Sequence, residues 1–174
     1  YYEEIKNKII DNETYERVKD YSKERHRVIT YYEIGKLLYE AGKKYGVNII
    51  KQYSKKLVIE VGTKYNERTL RRMRQLYLLF KKQKWSPLAT KLSWSHYSEL
   101  LSIKNDDKLS YYLNLSIIQN IGVRELREKI KSKEYERLPD ETKNKIIKEE
   151  KLEVKDLVPN PILIKNTNNI EIIT

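Results

Sequence analysis

The densest set of groups able to bind or react in this chain is cationic. Between Gly62 and Lys84 lie Lys64, Arg68, Arg71, Arg72, Arg74, Lys81, Lys82 and Lys84, eight cations against the single acid Glu67, a balance of +7 within a chain total of +11. Charge this localised marks a surface that meets something acidic. Guanidinium forks donate in pairs to phosphate oxygens or guanine edges, and a carboxamide such as that of Gln75 matches adenine, so the chemistry on offer is nucleic-acid recognition. Ser93, Ser95 and His96 form a second constellation, with the elements of an activated hydroxyl nucleophile. No acid is placed to orient the imidazole, and the other histidine, His26, stands in a charged segment, so packing or a single phosphate hydrogen bond is expected of His96.

For the cations to act together they must share a face. Leu70, Met73, Tyr77 and Phe80 recur at intervals of three and four, the spacing of a buried helical stripe. Asn66 stands ahead of them as an N-cap. At about 100° per residue, Arg68, Arg71 and Gln75 project from the opposite face, with Arg72 and Arg74 on its flanks. Upstream, residues 48–61 place Ile49, Ile50, Tyr53, Leu57, Ile59 and Val61 on an amphipathic pattern ended by Gly62. Helix, glycine-containing turn and arginine-faced helix, over about residues 48–82, is the pattern of a helix-turn-helix whose second helix enters a DNA major groove. Lys64, Lys81, Lys82 and Lys84 would anchor phosphates around it.

The remaining chain supplies helices to carry this unit. Five glycines and four prolines in 174 residues, with long periodic segments, predict a mainly α fold. The absence of cysteine excludes disulfides and thiolate chemistry. No apolar run approaches the roughly 20 residues that cross a bilayer and no secretory signal pattern is seen, which predicts a cytoplasmic protein without a membrane partner. Residues 1–10 read as a short helix ended near Asp11-Asn12, and residues 13–45 as one long helix stopped by Gly46, with Val18, Tyr21, Val28, Tyr31, Ile34, Leu38 and Ala41 on its stripe. Trp85-Ser86-Pro87 interrupts the pattern; helices over 92–103, 108–120, 123–133 and 141–151 follow. Trp94 and Tyr97, though able to stack on bases, fall at core spacing. The expected architecture is a multi-helix bundle containing a helix-turn-helix (winged-helix-like) unit, with a short extended C-terminal tail. Its expected division is a helical DNA-binding domain over 1–138 and a charged helix plus linker over 139–174.

Four runs, YYEIGKLL from Tyr31, TLRRMRQLY from Thr69, LSWSHYSELL from Leu92 and VRELREKIKSKEYERL from Val123, occur in this order. Together they resemble the N-terminal helical domain of YhcG-like bacterial proteins, a domain of formerly unknown function placed before a PD-(D/E)XK nuclease domain. The chain departs from that pattern at Ile121-Gly122, where the family usually carries Trp-Ser, and at Asn66 and Thr69. The resemblance implies a non-catalytic module without a cofactor, bound to double-stranded DNA as a monomer or a homodimer, with nuclease chemistry further along the protein and a role in DNA processing or defence against foreign DNA. The competing expectation is a protein-interaction or dimerisation module built on the long helix and the tail, its arginines merely solvated. Pro139-Asp140 and Glu141-Thr142-Lys143 spell the letters of the nuclease motif. They open a predicted helix, where neighbouring side chains diverge by about 100°, so capping is expected of them and not metal binding.

Overall fold

Apolar residues at helical spacing, punctuated by caps and glycines, decide the elements of this chain. The computed structural model describes residues 1–17, 23–83 and 92–147. Val18, Tyr21, Lys84, the Trp85-Ser86-Pro87 break and the C-terminal tail lie outside the described residues. The helices α1 (Tyr2–Arg17), α2 (Lys23–Tyr45), α3 (Ile49–Glu60), α4 (Glu67–Gln83) and α5 (Trp94–Leu100) belong to one compact unit, Tyr1–Ser102. A second unit, Ile103–Thr174, holds α6 (Asp106–Ile118), α7 (Val123–Lys131) and α8 (Asp140–Ile147). The fold is mainly α, with no strand among the described residues. No described helix is long and apolar enough to cross a membrane. The expected division lay at Leu138; the compact units divide after Ser102, and α8 packs on α6.

In the first unit, the single helix expected over 13–45 is replaced by a hairpin. Helix α1 does not stop at Asp11-Asn12 but continues to Arg17, and α2 begins at Lys23. The two run antiparallel, Lys8 pairing with Glu33 at 2.6 Å and Arg27 with Glu16 at 2.7 Å. Asn12 does not break α1 because its buried carboxamide donates to Glu16, one turn on, at 2.7 Å. Ile5 and Ile9 on α1 are fully buried, as are Ile34, Leu38 and Ala41 on α2. The last turn of α2 closes with Gly46 at φ +85°, a conformation that favours glycine.

Helix α2 packs chiefly on α4, and the two cross at Gly35. A Cβ added there would lie 2.1 Å from the carbonyl oxygen of Met73 and 3.0 Å from Cβ of Tyr77, so only a glycine lets the backbones come this close. Helix α3 buries Ile49, Ile50, Ser54 and Leu57 against its neighbours. Ile59 departs from expectation at 86 % exposure. It stands nine residues after Ile50, about 900° or half a turn from the buried face. Tyr97 is fully buried with its ring 5.5 Å from Phe80, and Trp94 meets Tyr31 edge-on at 4.9 Å. These aromatics are core and packing residues.

In the second unit, Asn105 caps α6 by accepting from the Lys108 amide at 2.8 Å, and Leu109, Tyr111, Tyr112, Leu113 and Leu115 enter the core. One buried carboxylate organises the polar contacts. Glu134 accepts from the Tyr111 hydroxyl at 2.9 Å and from the Lys129 ammonium at 3.1 Å. The Tyr112 hydroxyl donates to the Lys129 carbonyl at 3.1 Å and accepts from the Tyr135 amide at 3.2 Å. Burial first, and then the Glu134 charge, push the Tyr111 phenol well above its ordinary pKa.

Two stability outcomes follow from this packing. Gly35→Ala is expected to cost about 1–3 kcal/mol through overpacking, whereas Gly42→Ala, with nothing within 4 Å of the added Cβ, should be neutral or stabilise by up to about 1 kcal/mol. Thermal unfolding of the pair checks this; equal midpoints would rule out the close crossing. Tyr111→Phe should cost about 1–3 kcal/mol by removing one donor from a buried carboxylate, and an unchanged denaturation midpoint would show that the hydrogen bond contributes nothing net.

Candidate nucleic-acid interface

Helix α4 starts where the sequence places its cap. The Asn66 side-chain oxygen accepts from the Thr69 amide at 3.1 Å, and its Nδ2 donates to the Thr63 carbonyl at 3.3 Å. Residues 61–66 join α3 to α4 through Gly62, at φ +155°, and the 3-10 turn Thr63–Tyr65, whose Tyr65 is fully buried. The core stripe of α4 is Leu70, Met73, Leu76 and Phe80; the expected Tyr77 is only half-buried, and Leu76 takes its place. The stripe is wider than anticipated because α2 and α3 both pack on this helix.

Arg68, Arg71 and Gln75 are exposed on the opposite face, with Arg72 and Arg74 half-exposed at its edges. Glu67, Arg68, Arg71, Arg72 and Gln75 line a shallow open recess. Arg71 donates to Glu67 from Nε at 2.8 Å and from Nη2 at 2.6 Å. Arg68 and Arg72 have no hydrogen-bond or ion-pair partner among the described residues. The Arg74 Nε is buried without a hydrogen-bond partner. Lys81 and Lys82 are exposed in the last turn of α4, where Lys81 donates to the Tyr39 hydroxyl at 3.4 Å.

Lys64 has a different setting. Its ammonium pairs with Glu13 and lies 3.7 Å from Glu16, both on α1, while the Tyr65 hydroxyl donates to Glu13. Glu16 also receives Arg27 and Asn12. Burial opposes ionisation of Glu16, yet hydrogen bonds from Arg27 and Asn12, with the charges of Arg27 and Lys64, hold its carboxyl below the ordinary value of 4.5. Burial pushes the neighbouring Tyr31 phenol up to about 12. Lys64 thus ties the α3–α4 connection to α1 instead of joining the arginine row.

The suspected chemical groups resolve into caps. The Ser93 hydroxyl lies 2.8 Å from the His96 Nδ1, which also accepts from the Ser93 amide at 3.3 Å, a reciprocal cap at the start of α5. Asp140 opens α8 with its side chain 96 % exposed and 3.8 Å from Lys143, a helical pair one turn apart. The described residues contain no group of three side chains placed to hold a metal ion. Reasoning from the sequence overlooks Tyr39 on α2, whose ring meets both Lys43, one helical turn on, and Lys81 of α4; the four-residue spacing of Tyr39 and Lys43 is the sequence sign of the cluster.

A family model described as the DUF1016 N-terminal domain matches residues 4–137. The chain belongs to this family. It is also 29% identical over 144 residues to the Escherichia coli (strain K12) protein named "Putative nuclease YhcG", across 62% of this chain and 38% of that protein. The chain therefore spans well under half the length of this relative. No solved structure matches it. The family segment takes in all of α4 and the Glu134 cluster.

The depressed Glu16 carboxyl sets a pH dependence. Its pairing stabilises the fold at pH values above 4.5 and is lost as pH falls through the lower folded value. Unfolding midpoints measured from about pH 6 down to about pH 3 should fall less steeply in Glu16→Gln, from a lower starting midpoint, than in the wild type. Parallel profiles would show that this carboxylate is not coupled to folding.

Proposed function

We propose that Tyr1–Ser102 is a duplex-DNA-binding module of the helix-turn-helix type, with α4 as the groove helix, in a bacterial nuclease-type protein whose cleavage chemistry lies outside this chain. The observation that carries this reading is the pair of guanidiniums, Arg68 and Arg72, that have no partner among the described residues, beside an exposed Gln75 on the outer face of α4. Free guanidinium forks match phosphate oxygens and guanine edges. Arg71 joins them readily, because an exposed pair such as Arg71–Glu67 holds only about 0.3–0.5 kcal/mol. Helices α2, α3 and α4 pack on one another, which gives α4 the support a groove helix needs. A helix with side chains is about 10–12 Å wide and the major groove about 12 Å, so α4 fits. The connection over residues 61–66 is longer than the three or four residues of the usual motif, so the reading rests on the three-helix packing and not on turn length. A wing would need a β-hairpin, and the described residues hold no strand.

Lys81 and Lys82 serve phosphates at the end of α4, and Lys64 is reassigned from phosphate anchor to structural tie. The nuclease reading draws on the name of the relative and on the family match. Asp140, Glu141 and Lys143 stand on a helix start and lack the strand-borne geometry of a metal clamp, so we assign them no cleavage role. The competing interaction module would be built on a continuous helix over residues 13–45, in whose place α1 and α2 stand as separate helices, and on the C-terminal tail, which lies outside the described residues.

Fluorescence-anisotropy titration of the chain with labelled duplex DNA at several salt concentrations tests the reading. Affinity should fall steeply with salt, and Arg68→Ala/Arg72→Ala should flatten the slope of log K against log [salt] by about 1.8 if both contact phosphates. Lys64→Ala should lower the unfolding midpoint while leaving DNA affinity within about threefold of wild type, a change of under about 0.7 kcal/mol. A folded wild-type chain that fails to bind duplex at low salt would sink the proposal.

A further inference from the structure

Beyond the arginine face, α2 and the end of α4 bring together donors that no carboxylate among the described residues neutralises. The Lys81 ammonium donates to the Tyr39 hydroxyl at 3.4 Å and lies 4.7 Å from the ring centroid. The Lys43 ammonium sits 4.8 Å from the same centroid. Among the described residues, neither lysine pairs with a carboxylate. Because the Tyr39 oxygen accepts from Lys81, its own O–H remains available to donate. Two ammoniums and a hydroxyl proton converge with no anionic acceptor on them among the described residues, a composition suited to an oxyanion. Hydrogen bonding to Lys43 first, and then to Lys81, holds the Tyr39 phenol below its ordinary value of 10.0, the mark of a local potential that favours negative charge.

The cluster stands on rigid elements. The Tyr39 ring packs on Tyr77 at 5.4 Å, and Tyr77 lies at the Gly35 crossing of α2 with α4. Lys81 follows Arg68 by thirteen residues, about 20 Å along α4 at 1.5 Å per residue. The major groove is only about 12 Å wide, so with Arg68 in the groove Lys81 reaches its phosphate rim. Cation–π contacts at exposed sites hold roughly 0.5–1 kcal/mol, little enough for both lysines to turn outward onto an anion.

We propose that Tyr39 and Lys43 of α2, with Lys81 of α4, form a phosphate clamp that grips the DNA backbone where α4 leaves the groove. This rests on the duplex-binding reading and adds a second helix to the contact surface. The test is anisotropy with a labelled duplex of about 20 base pairs over about 50–200 mM salt, using the whole chain. Lys43→Gln/Lys81→Gln should flatten the salt slope by about 1.8, two phosphate contacts' worth. Tyr39→Phe should weaken binding roughly 3- to 10-fold at each salt concentration with the slope unchanged, since the lost donor carries no charge. Lys104→Gln/Lys131→Gln, two exposed lysines of the second unit, is the charge-matched control and should leave the slope as in wild type. An unchanged slope in the Lys43/Lys81 variant, beside a flattened one in Arg68→Ala/Arg72→Ala, overturns the clamp and keeps the groove reading. An equal loss in the Lys104/Lys131 control also overturns the clamp, because net charge alone would then account for the effect. Flattening by the Lys43/Lys81 variant but not by the arginine variant keeps the clamp and overturns the groove reading. Absence of binding by folded wild-type chain overturns both.

Discussion

Where α2 passes over α4, the missing side chain of Gly35 lets one backbone rest against the Met73 carbonyl of the other. The orientation of α4 in its unit follows from that contact. A helix held at one face by a close backbone crossing and along its stripe by Leu70, Met73, Leu76 and Phe80 cannot roll without opening the core. Its outer face is then fixed relative to α2, and Arg68, Arg71 and Gln75 are presented outward by consequence. The same crossing seats Tyr77 against Tyr39 and Tyr32, at 5.4 and 5.5 Å, so α2 lends its own side chains to the end of α4.

Each unit also carries a carboxylate whose partners come from more than one element. Glu16 on α1 gathers Arg27 of α2 and lies near Lys64 of the turn, while Glu134 gathers Tyr111 of α6 and Lys129 of α7. Apolar contact drives such helices together without fixing their register closely, since area burial is non-directional. A half-buried or buried charge supplies the direction, because leaving it unpaired is costly in a low-dielectric setting. In the first unit that requirement docks the α3–α4 connection on α1, and so sets where α4 begins.

Local signals were legible wherever one residue decides the outcome within a turn of itself. Asn66 caps the helix its type predicts, and Gly46 ends α2 in the conformation glycine favours. The face of α4 was legible from spacing alone, since period and charge agree there. What failed depended on partners distant in sequence. Asn12 looks like a helix stop until Glu16 and a buried site are supplied, and Ile59 looks like core until the face of α3 is fixed by its neighbours. Ser93 and His96 suggest chemistry by type, yet their three-residue offset at a helix start makes a cap. Gly35 carries no signal in a single sequence, because nothing in its spacing announces a helix crossing.

The charge count of the basic stretch overstates its free cationic surface, and the difference bears on specificity under the proposed duplex-binding reading. Lys64 is tied to α1, Arg71 is loosely held by Glu67, and Arg74 is half-withdrawn, which leaves Arg68, Arg72 and Gln75 as the outer-face groups of α4 without a partner among the described residues. A good bidentate contact discriminates by about 1–3 kcal/mol, so three of them reach about 3–9 kcal/mol only if all three address bases. Specific operators demand about 4–10 kcal/mol over non-specific DNA. Any guanidinium turned to phosphate lowers the available total, and a clamp on the backbone adds affinity without discrimination. Under the proposed duplex-binding reading, a surface of this composition suits broad engagement with mild preference more than recognition of a single site.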